Sequence, residues 1–286
     1  MNRKKEAKQK KKKGVFIDAR EASKSGASNG NARNRLWWES MPMTYKDWEG
    51  NDRILSREKD FNEAEDVLFS NSPYLREQFD FSGLSKKKVL DLGCGSGVLS
   101  VALAKNGADV TAVDLTENAT KMTQKNSALR QLNIKVVRSD AENIAFASST
   151  FDYVLSWGVL HHTEHTEKAF DEVSRILKPN GRGLIMVYHK SSIFYYVKGL
   201  IWLFLKGKIF KGYNLSTVID FYVDGYFHRH FTKRELNNGL AKSKLESTDV
   251  FATQQEKKIL PLIPKQLDIF LKYHFGWYLI SLFKKF

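Results

Sequence analysis

Residues 89–97 read VLDLGCGSG, an apolar run that passes directly into three alternating glycines. Gly93, Gly95 and Gly97 remove side chains where a backbone must turn tightly and approach a ligand, and the helix start that follows offers unpaired amide groups. The spacing differs from the dinucleotide fingerprint, because Val98 occupies the position where that fingerprint needs a small residue. No lysine follows where a phosphate-binding P-loop requires one. The stretch predicts a strand, a ligand-binding turn and a helix.

From residue 88 onward, short apolar runs alternate with helical patterns, which is typical of βαβ units. We therefore expect an α/β fold of the Rossmann-like type, a parallel-core sheet sandwiched by helices. Loops of such units collect at one edge of the sheet, where a ligand binds. The predicted strands are residues 88–92, 109–114, 134–138, 151–157 and 183–188, with helices at 97–105, 117–129 and 166–177.

Acidic residues follow the second and third predicted strands. Asp114 ends the second strand, seventeen residues after Gly97, and Asp140 and Glu142 follow the third. A carboxylate in the position of Asp114 accepts hydrogen bonds from both ribose hydroxyls. Each acid alone is also compatible with a solvated loop, but together with the glycine turn they favour a nucleoside-type ligand.

At these residues the chain resembles the class I S-adenosylmethionine (SAM)-dependent methyltransferases, particularly the ubiquinone and menaquinone biosynthesis branch. The resemblance covers about residues 88–188 and includes FDYVLSWGVLHH at 151–162 and KPNG at 178–181. It implies SAM as cofactor, with methionine at the glycine turn, ribose at Asp114 and adenine at Asp140 and Ala141. It also implies that Cys94 packs inside the loop and is no nucleophile. The implied cofactor-binding residues are Asp91, Gly93, Cys94, Gly95, Gly97, Asp114, Leu115, Asp140, Ala141 and Trp157.

Methyl transfer from a sulfonium is an in-line displacement that needs alignment and exclusion of water more than a dedicated base. If the acceptor is a hydroxyl, a histidine or tyrosine would remove its proton. For the histidines, a structural or substrate-contacting role is the alternative to acid–base chemistry. No metal site is expected, because His228 and His230 lack a third ligand with fitting spacing. The catalytic candidates are His161, His162, Tyr188, His189, His228 and His230.

The regions around the core divide into further segments. Residues 1–31 are predicted to form a disordered basic tail. Residues 32–82 are predicted to form an N-terminal helical cap, with two helices divided near Pro73. An aromatic cluster in this cap forms either a lid or part of the core. The core covers 83–189, and 190–231 is an inserted aromatic segment that forms a substrate wall or lid. Residues 232–286 complete the core, with a capping box at 232–235, a strand at 248–253 and an amphipathic helix over 265–286. The aromatic cluster comprises Trp37, Trp38, Tyr45 and Trp48.

The formal net charge is +14, and residues 1–13 hold eight basic side chains against one acid. A solvated tail, attraction to anionic lipid and attraction to RNA all remain open. The most apolar stretch, 193–205, is shorter than the roughly 20 residues of a membrane-spanning helix. With no secretory leader pattern and one cysteine, a cytoplasmic protein is expected.

Peripheral membrane contact, as opposed to core or dimer packing, is a further hypothesis. It would involve the basic tail, the aromatic and lysine residues of 193–226, and the terminal helix with Trp277, Tyr278, Phe283 and Lys284.

These features predict a methyltransferase acting on a small-molecule or lipid-linked acceptor. The alternatives are an RNA methyltransferase, favoured by the basic tail, and a non-catalytic SAM-binding or interaction protein. The sequence specifies neither the acceptor atom nor the oligomeric state.

Overall fold

The computed structural model describes residues 34–36, 38–39, 43–44, 54–215, 218, 228–253 and 263–286. The basic tail, most of the predicted aromatic cluster (Trp37, Tyr45 and Trp48) and residues 219–227 of the inserted segment lie outside this part of the chain.

Seven strands form one sheet in the order β3-β2-β1-β4-β5-β7-β6. Strands β1 to β5 are parallel, and β7 runs antiparallel to both of its neighbours. The prediction of a Rossmann-like, parallel-core α/β fold is confirmed. The strands are β1 Lys88–Leu92, β2 Asp109–Asp114, β3 Lys135–Arg138, β4 Phe151–Trp157, β5 Leu177–Tyr188, β6 Leu245–Thr253 and β7 Tyr278–Lys285.

Local sequence signals fix the ends of several helices. Pro73 opens the second helix, and the Thr116 side chain caps the fourth by accepting from the Ala119 backbone N–H. Thr232 and Glu235 form the predicted capping box. The helices are α1 Glu58–Ser70, α2 Pro73–Glu77, α3 Val98–Lys105, α4 Glu117–Leu129, α5 Thr166–Ile176, α6 Ile193–Leu200, α7 Lys233–Lys242 and α8 Lys265–Phe275. Short 3₁₀ turns occur at Ser82–Leu84, Leu160–His162 and Ile209–Lys211, and a π-helical turn at Ile201–Leu205.

Buried apolar side chains cover both faces of the sheet. On one face, Phe170 of α5 and Leu236 of α7 pack with Leu90 of β1. On the other, Phe61 of α1 and Met122 of α4 pack with Leu155 of β4 and its neighbours. Strands β1, β2 and β4 are mostly buried and have continuous apolar runs, and turn residues around these runs made the three strands predictable from the sequence.

The terminal helix predicted over 265–286 is wrong in its second half. Helix α8 ends at Phe275, and β7 follows as an inner strand between β5 and β6. Trp277 and Tyr278 are partly exposed and Phe283 is 1% exposed, so the three do not form one exposed face of a terminal helix as predicted. A short run buried on both faces has no alternation to distinguish it from a buried helix.

The inserted segment leaves the sheet and returns to the same place. Phe231 donates its backbone N–H to the Tyr188 carbonyl (2.9 Å) and accepts from the Lys190 N–H (2.9 Å). His189 and Phe231 form a parallel bridge. The two ends of residues 190–231 are therefore adjacent, which places His228 and His230 beside the end of β5.

Candidate active site

A cavity of about 1160 Å³, including its open mouth, lies at the carboxyl ends of the parallel strands. This is where ligands bind in open α/β sheets. Nine of the predicted site residues line it: Gly93, Gly95, Asp114, Leu115, Asp140, Ala141, Trp157, His162 and Tyr188.

The glycine loop after β1 forms one wall of the cavity. Gly93 and Gly95 adopt φ angles of +86° and +54°, which side-chain-bearing residues rarely do. A Cβ on Gly93 would lie 2.1 Å from the Val159 Cγ2 atom, so only glycine fits against the loop after β4. Thr123 of α4 donates to the Gly95 carbonyl (3.1 Å) and supports the loop from behind.

Asp114 stands at the end of β2, facing the same wall. Its Oδ2 accepts from the Gly95 N–H (3.1 Å), and its Oδ1 accepts from the backbone N–H (2.9 Å) and hydroxyl (2.8 Å) of Thr116. Burial raises the pKa of this carboxyl, although these hydrogen bonds oppose the shift. The carboxylate is thus held by fixed donors at the point where the glycine loop turns.

Three predicted cofactor residues lie behind the wall. Asp91 is 1% exposed and accepts from the Ser100 hydroxyl (2.5 Å), and burial raises its pKa to about 7. Cys94 is buried, and burial raises its thiol pKa well above the ordinary value, so it is no thiolate. Gly97 packs against Thr123. Asp91, Cys94 and Gly97 shape the loop without lining the cavity.

The opposite end of the cavity is aromatic. Trp157 and Tyr278 meet edge to face with ring centroids 6.0 Å apart. Trp38 packs edge-on against His162 at 4.9 Å, and Tyr188 lines the same region. One cavity therefore joins a carboxylate-bearing end to an apolar end.

Two of the six catalytic candidates line the cavity, and the other four do not. His162 and Tyr188 line the cavity, whereas His161 is fully buried against both, at ring-centroid distances of 4.1 and 3.9 Å. The rings of His228 and His230 contact the Tyr188 ring, with centroid distances of 6.3 and 5.9 Å. Neither histidine is among the residues that line the cavity.

The remaining candidate, His189, is buried. Its Nδ1 is hydrogen-bonded with the Gly276 carbonyl (3.0 Å), and burial lowers its pKa. His189 therefore joins β5 to the segment before β7 and does not reach the cavity.

Three described residues of the N-terminal segment, Asn34, Trp38 and Met43, line the cavity. The Asn34 side-chain amide donates to the His162 carbonyl, and Met43 lies beside Gly95. The Glu39 carboxylate accepts from the backbone N–H groups of Glu117 (2.9 Å) and Asn118 (3.0 Å), at the start of α4. These contacts tie the segment to the loops after β2 and β4.

Sequence reasoning missed several cavity residues, most notably Tyr278, which it assigned to a membrane-facing helix. Recognising residues 278–285 as a strand beside β5 would have placed Tyr278 opposite Tyr188, its observed partner in the sheet. Asn34, Ser139 and Thr163 carried no motif signal. The other missed residues are Met43, Leu92, Val113, Thr116, Ala119, Gly158, Val159 and Met186.

The residues that line the cavity match the chemical groups of SAM. Gly95 presents bare backbone, and Asp114 and Asp140 present carboxylates to hydroxyl and amino groups. None of the described residues that line the cavity is Lys or Arg, so the positively charged sulfonium and ammonium groups of a ligand meet no repelling lysine or arginine there. Within the described ranges, no three His, Cys, Asp or Glu side chains are grouped so as to hold a metal ion.

Comparisons with known proteins agree with this geometry. A family model described as "Methyltransferase domain" matches residues 90–185. The chain is 34% identical over 109 residues to a Ubiquinone biosynthesis O-methyltransferase of Coxiella burnetii, covering 38% of this chain and 45% of that enzyme. It is 32% identical over 152 residues to the mitochondrial Ubiquinone biosynthesis O-methyltransferase of Schizosaccharomyces pombe, covering 51% of each. The chain thus spans about half the length of these relatives.

A solved structure of an S-adenosylmethionine dependent methyltransferase from Mesorhizobium loti superposes with a TM-score of 0.51. The two chains are 19% identical, and the superposition covers 79% of this chain and all of the Mesorhizobium loti chain. This likeness shows a shared fold. Residues 90–185 of this chain form an S-adenosylmethionine-dependent methyltransferase domain with the class I fold, and this part of the chain is similar to ubiquinone biosynthesis O-methyltransferases.

Proposed function

We propose that the chain transfers a methyl group from SAM to a hydroxyl of a small, apolar or lipid-linked acceptor. The observation that carries the proposal is the continuity of the cavity. One wall holds the glycine loop and Asp114, and the other holds His162, Tyr188 and Trp157. The nucleoside would lie against the first wall and the acceptor against the second.

The aromatic end favours an acceptor with an apolar body. Trp38, Trp157 and Tyr278 contribute ring surface to the cavity, and rings pack well against other rings or isoprenoid-like chains. The relatives whose printed names specify ubiquinone biosynthesis O-methyltransferases support oxygen as the acceptor atom.

His162 is the proposed general base. SAM supplies, when bound, a methyl carbon on a positively charged sulfur. His162 would take the proton that the acceptor hydroxyl loses when its oxygen receives the methyl group, and would become an imidazolium while the cofactor leaves as a neutral thioether. His162 is 7% exposed, so its ring is largely shielded from bulk water.

Neighbouring side chains would hold the His162 ring in place. Trp38 packs on its edge, and His161 lies against it from the buried side. The Asn34 amide binds the His162 carbonyl and fixes the backbone at this position. These contacts support the proposed base, because they would hold its ring in position before the acceptor arrives.

Transfer of a radioactive methyl group from SAM tests the proposal. The full chain would be incubated with extracted lipids, with simple catechols and phenols, and with total RNA. Label in a lipid or phenol that is stable to mild base, as an ether is, supports the proposal. Label in RNA alone indicates the RNA methyltransferase alternative, and SAM binding without any transfer indicates a non-catalytic protein.

A further inference from the structure

A cluster of exposed apolar side chains lies beside the active site. We call it the 196–211 surface. Leu205 is 80% exposed and Phe210 is 91% exposed, and both belong to the short turns that follow α6. Single exposed apolar residues are common on protein surfaces. Seven of them within fifteen positions form an apolar patch, and such patches are typical of binding surfaces. The seven are Tyr196, Leu200, Ile201, Phe204, Leu205, Ile209 and Phe210.

The charge of this segment has one sign. Residues 191–219 contain four lysines and no aspartate or glutamate. Lys206 and Lys208 precede the exposed Ile209 and Phe210 in the chain, and Lys211 follows them. A segment that presents apolar side chains together with cations matches a surface with an apolar interior and anionic headgroups.

The inner side of the segment is anchored to the active site. Tyr195 is 2% exposed and packs against Tyr188 at a ring-centroid distance of 6.0 Å, and its hydroxyl accepts from the Trp277 indole N–H. Leu203 is 7% exposed. One side of the segment is thus packed next to a cavity residue, while the other faces outward.

Helix α8 adds a second outward apolar set. Trp277, two residues past its end, holds the helix next to Tyr195. The residue that α8 buries is Asp268, which pairs with Lys272 (2.8 Å). Its exposed large side chains are Leu267, Ile269, Phe270, Tyr273 and Phe275. The predicted apolar face of this helix therefore points away from the core.

We propose that the 196–211 surface binds the anionic face of a lipid bilayer. Phe210 and Leu205 enter the boundary between headgroups and acyl chains, and Lys206, Lys208 and Lys211 lie at the phosphates. The thirteen residues 193–205 span about 20 Å as helix, less than the ~30 Å hydrocarbon core, so the segment lies along the surface. None of the described helices is long and apolar enough to cross a membrane. Lipid binding stands independently of the proposed function, which it complements by bringing the aromatic end of the cavity close to a lipid-dissolved acceptor.

Vesicle flotation of the full chain tests this surface. Vesicles of phosphatidylcholine alone would be compared with vesicles that also contain phosphatidylglycerol. We expect binding to the anionic vesicles and at least a tenfold weaker association for the double variant Leu205→Ser/Phe210→Ser. The control is Ile54→Ser, a residue 51% exposed outside the surface. The basic tail is present in every protein and none of these substitutions changes the net charge, so a difference between variants reports the apolar side chains.

A fluorescence measurement locates the contact independently of affinity. The one cysteine, Cys94, is buried, so Phe210→Cys labels selectively with an environment-sensitive dye. Its emission is expected to shift to the blue on addition of anionic vesicles, whereas dye at Lys59→Cys stays unchanged. Equal flotation of the double variant and the wild type, or no shift at residue 210, overturns the proposal. A change of oligomeric state in the double variant with vesicle binding unaltered would also overturn it, and would assign the surface to a second copy of the chain.

Discussion

The Gly95 backbone N–H donates to the Asp114 carboxylate across 3.1 Å, joining the glycine turn after β1 to the end of β2. Gly95 has a φ of +54°, and its hydrogen bond opposes the rise that burial causes in the pKa of Asp114. The two residues therefore fix each other, and both line the cavity.

The first prediction concerns the bare backbone of the loop. Gly93→Ala places a Cβ 2.1 Å from Val159, whereas Gly212, with a similar φ of +76°, has nothing within 4 Å. Both substitutions carry the cost of a left-handed backbone, but only Gly93→Ala adds an overlap, worth roughly 1–3 kcal/mol. Denaturant unfolding of the two variants gives the difference. Equal destabilisation would show that the loop yields freely at Val159.

The secondary structure of the core could be predicted from the sequence because its signals are local. The run 88–92 and the turn at Gly93 depend on neighbours in the chain, as do the caps at Thr116 and Thr232. The strand β7 could not be predicted, because its burial depends on two strands distant in sequence, β5 and β6. Tyr278 was consequently missed as a cavity residue.

The site was predicted unevenly for the same kind of reason. Motif spacing identified Gly95 and Asp114, but could not show which side of the loop each residue faces. Asp91, also predicted to bind the cofactor, is hydrogen-bonded to Ser100 and does not line the cavity, so its role stays a prediction. The adjacent His161 and His162 look equivalent in sequence. The 3₁₀ turn after β4 buries the first and directs the second to the cavity.

The second prediction concerns the proposed general base. His162→Gln removes the proton acceptor at the cavity while keeping a polar side chain, and kcat should fall by about 10²–10⁴-fold. KM for SAM should change little, because the nucleoside end is separate. His165→Gln, at an exposed histidine three residues on, is the control and should leave kcat unchanged. A His162→Gln enzyme with wild-type kcat would exclude His162 as base.

The third prediction is a pH dependence of stability. Burial lowers the pKa of His161 well below its ordinary value, with His162, His228 and His230 adding to the effect, so the folded chain keeps this ring neutral. The unfolded chain protonates it below about pH 6.5, so this contribution to stability is complete above that pH and falls by up to about 1.4 kcal/mol per pH unit below it.

Replacement of His161 tests that slope. Neither ring nitrogen has a hydrogen-bond partner among the described residues, so His161→Phe breaks no such bond. The variant should lose less stability than the wild type between pH 6.5 and pH 5, measured by urea unfolding. His165→Phe is the exposed control. An unchanged slope in His161→Phe would mean that another group sets the acid sensitivity.

The fourth prediction concerns Glu39, which lies in the N-terminal segment next to the cavity-lining Trp38. Glu39→Gln weakens the charge-assisted hydrogen bonds to the Glu117 and Asn118 amides, each worth about 1.5–3 kcal/mol in general. The segment should open more often, and dissociation of S-adenosylhomocysteine should become several-fold faster in a stopped-flow experiment. Glu77→Gln, at an exposed residue paired with Arg76, serves as control. Identical off-rates would show that the segment does not gate the cofactor.

Calorimetric titration with S-adenosylhomocysteine tests the central claim most directly. The wild type should bind one nucleoside per chain, and Asp114→Asn should bind at least about tenfold more weakly, because a ribose hydroxyl loses a charged acceptor. Asp109→Asn, at the exposed start of the same strand, should bind like the wild type. Absence of binding by the wild type, or equal affinity of Asp114→Asn, would contradict the account.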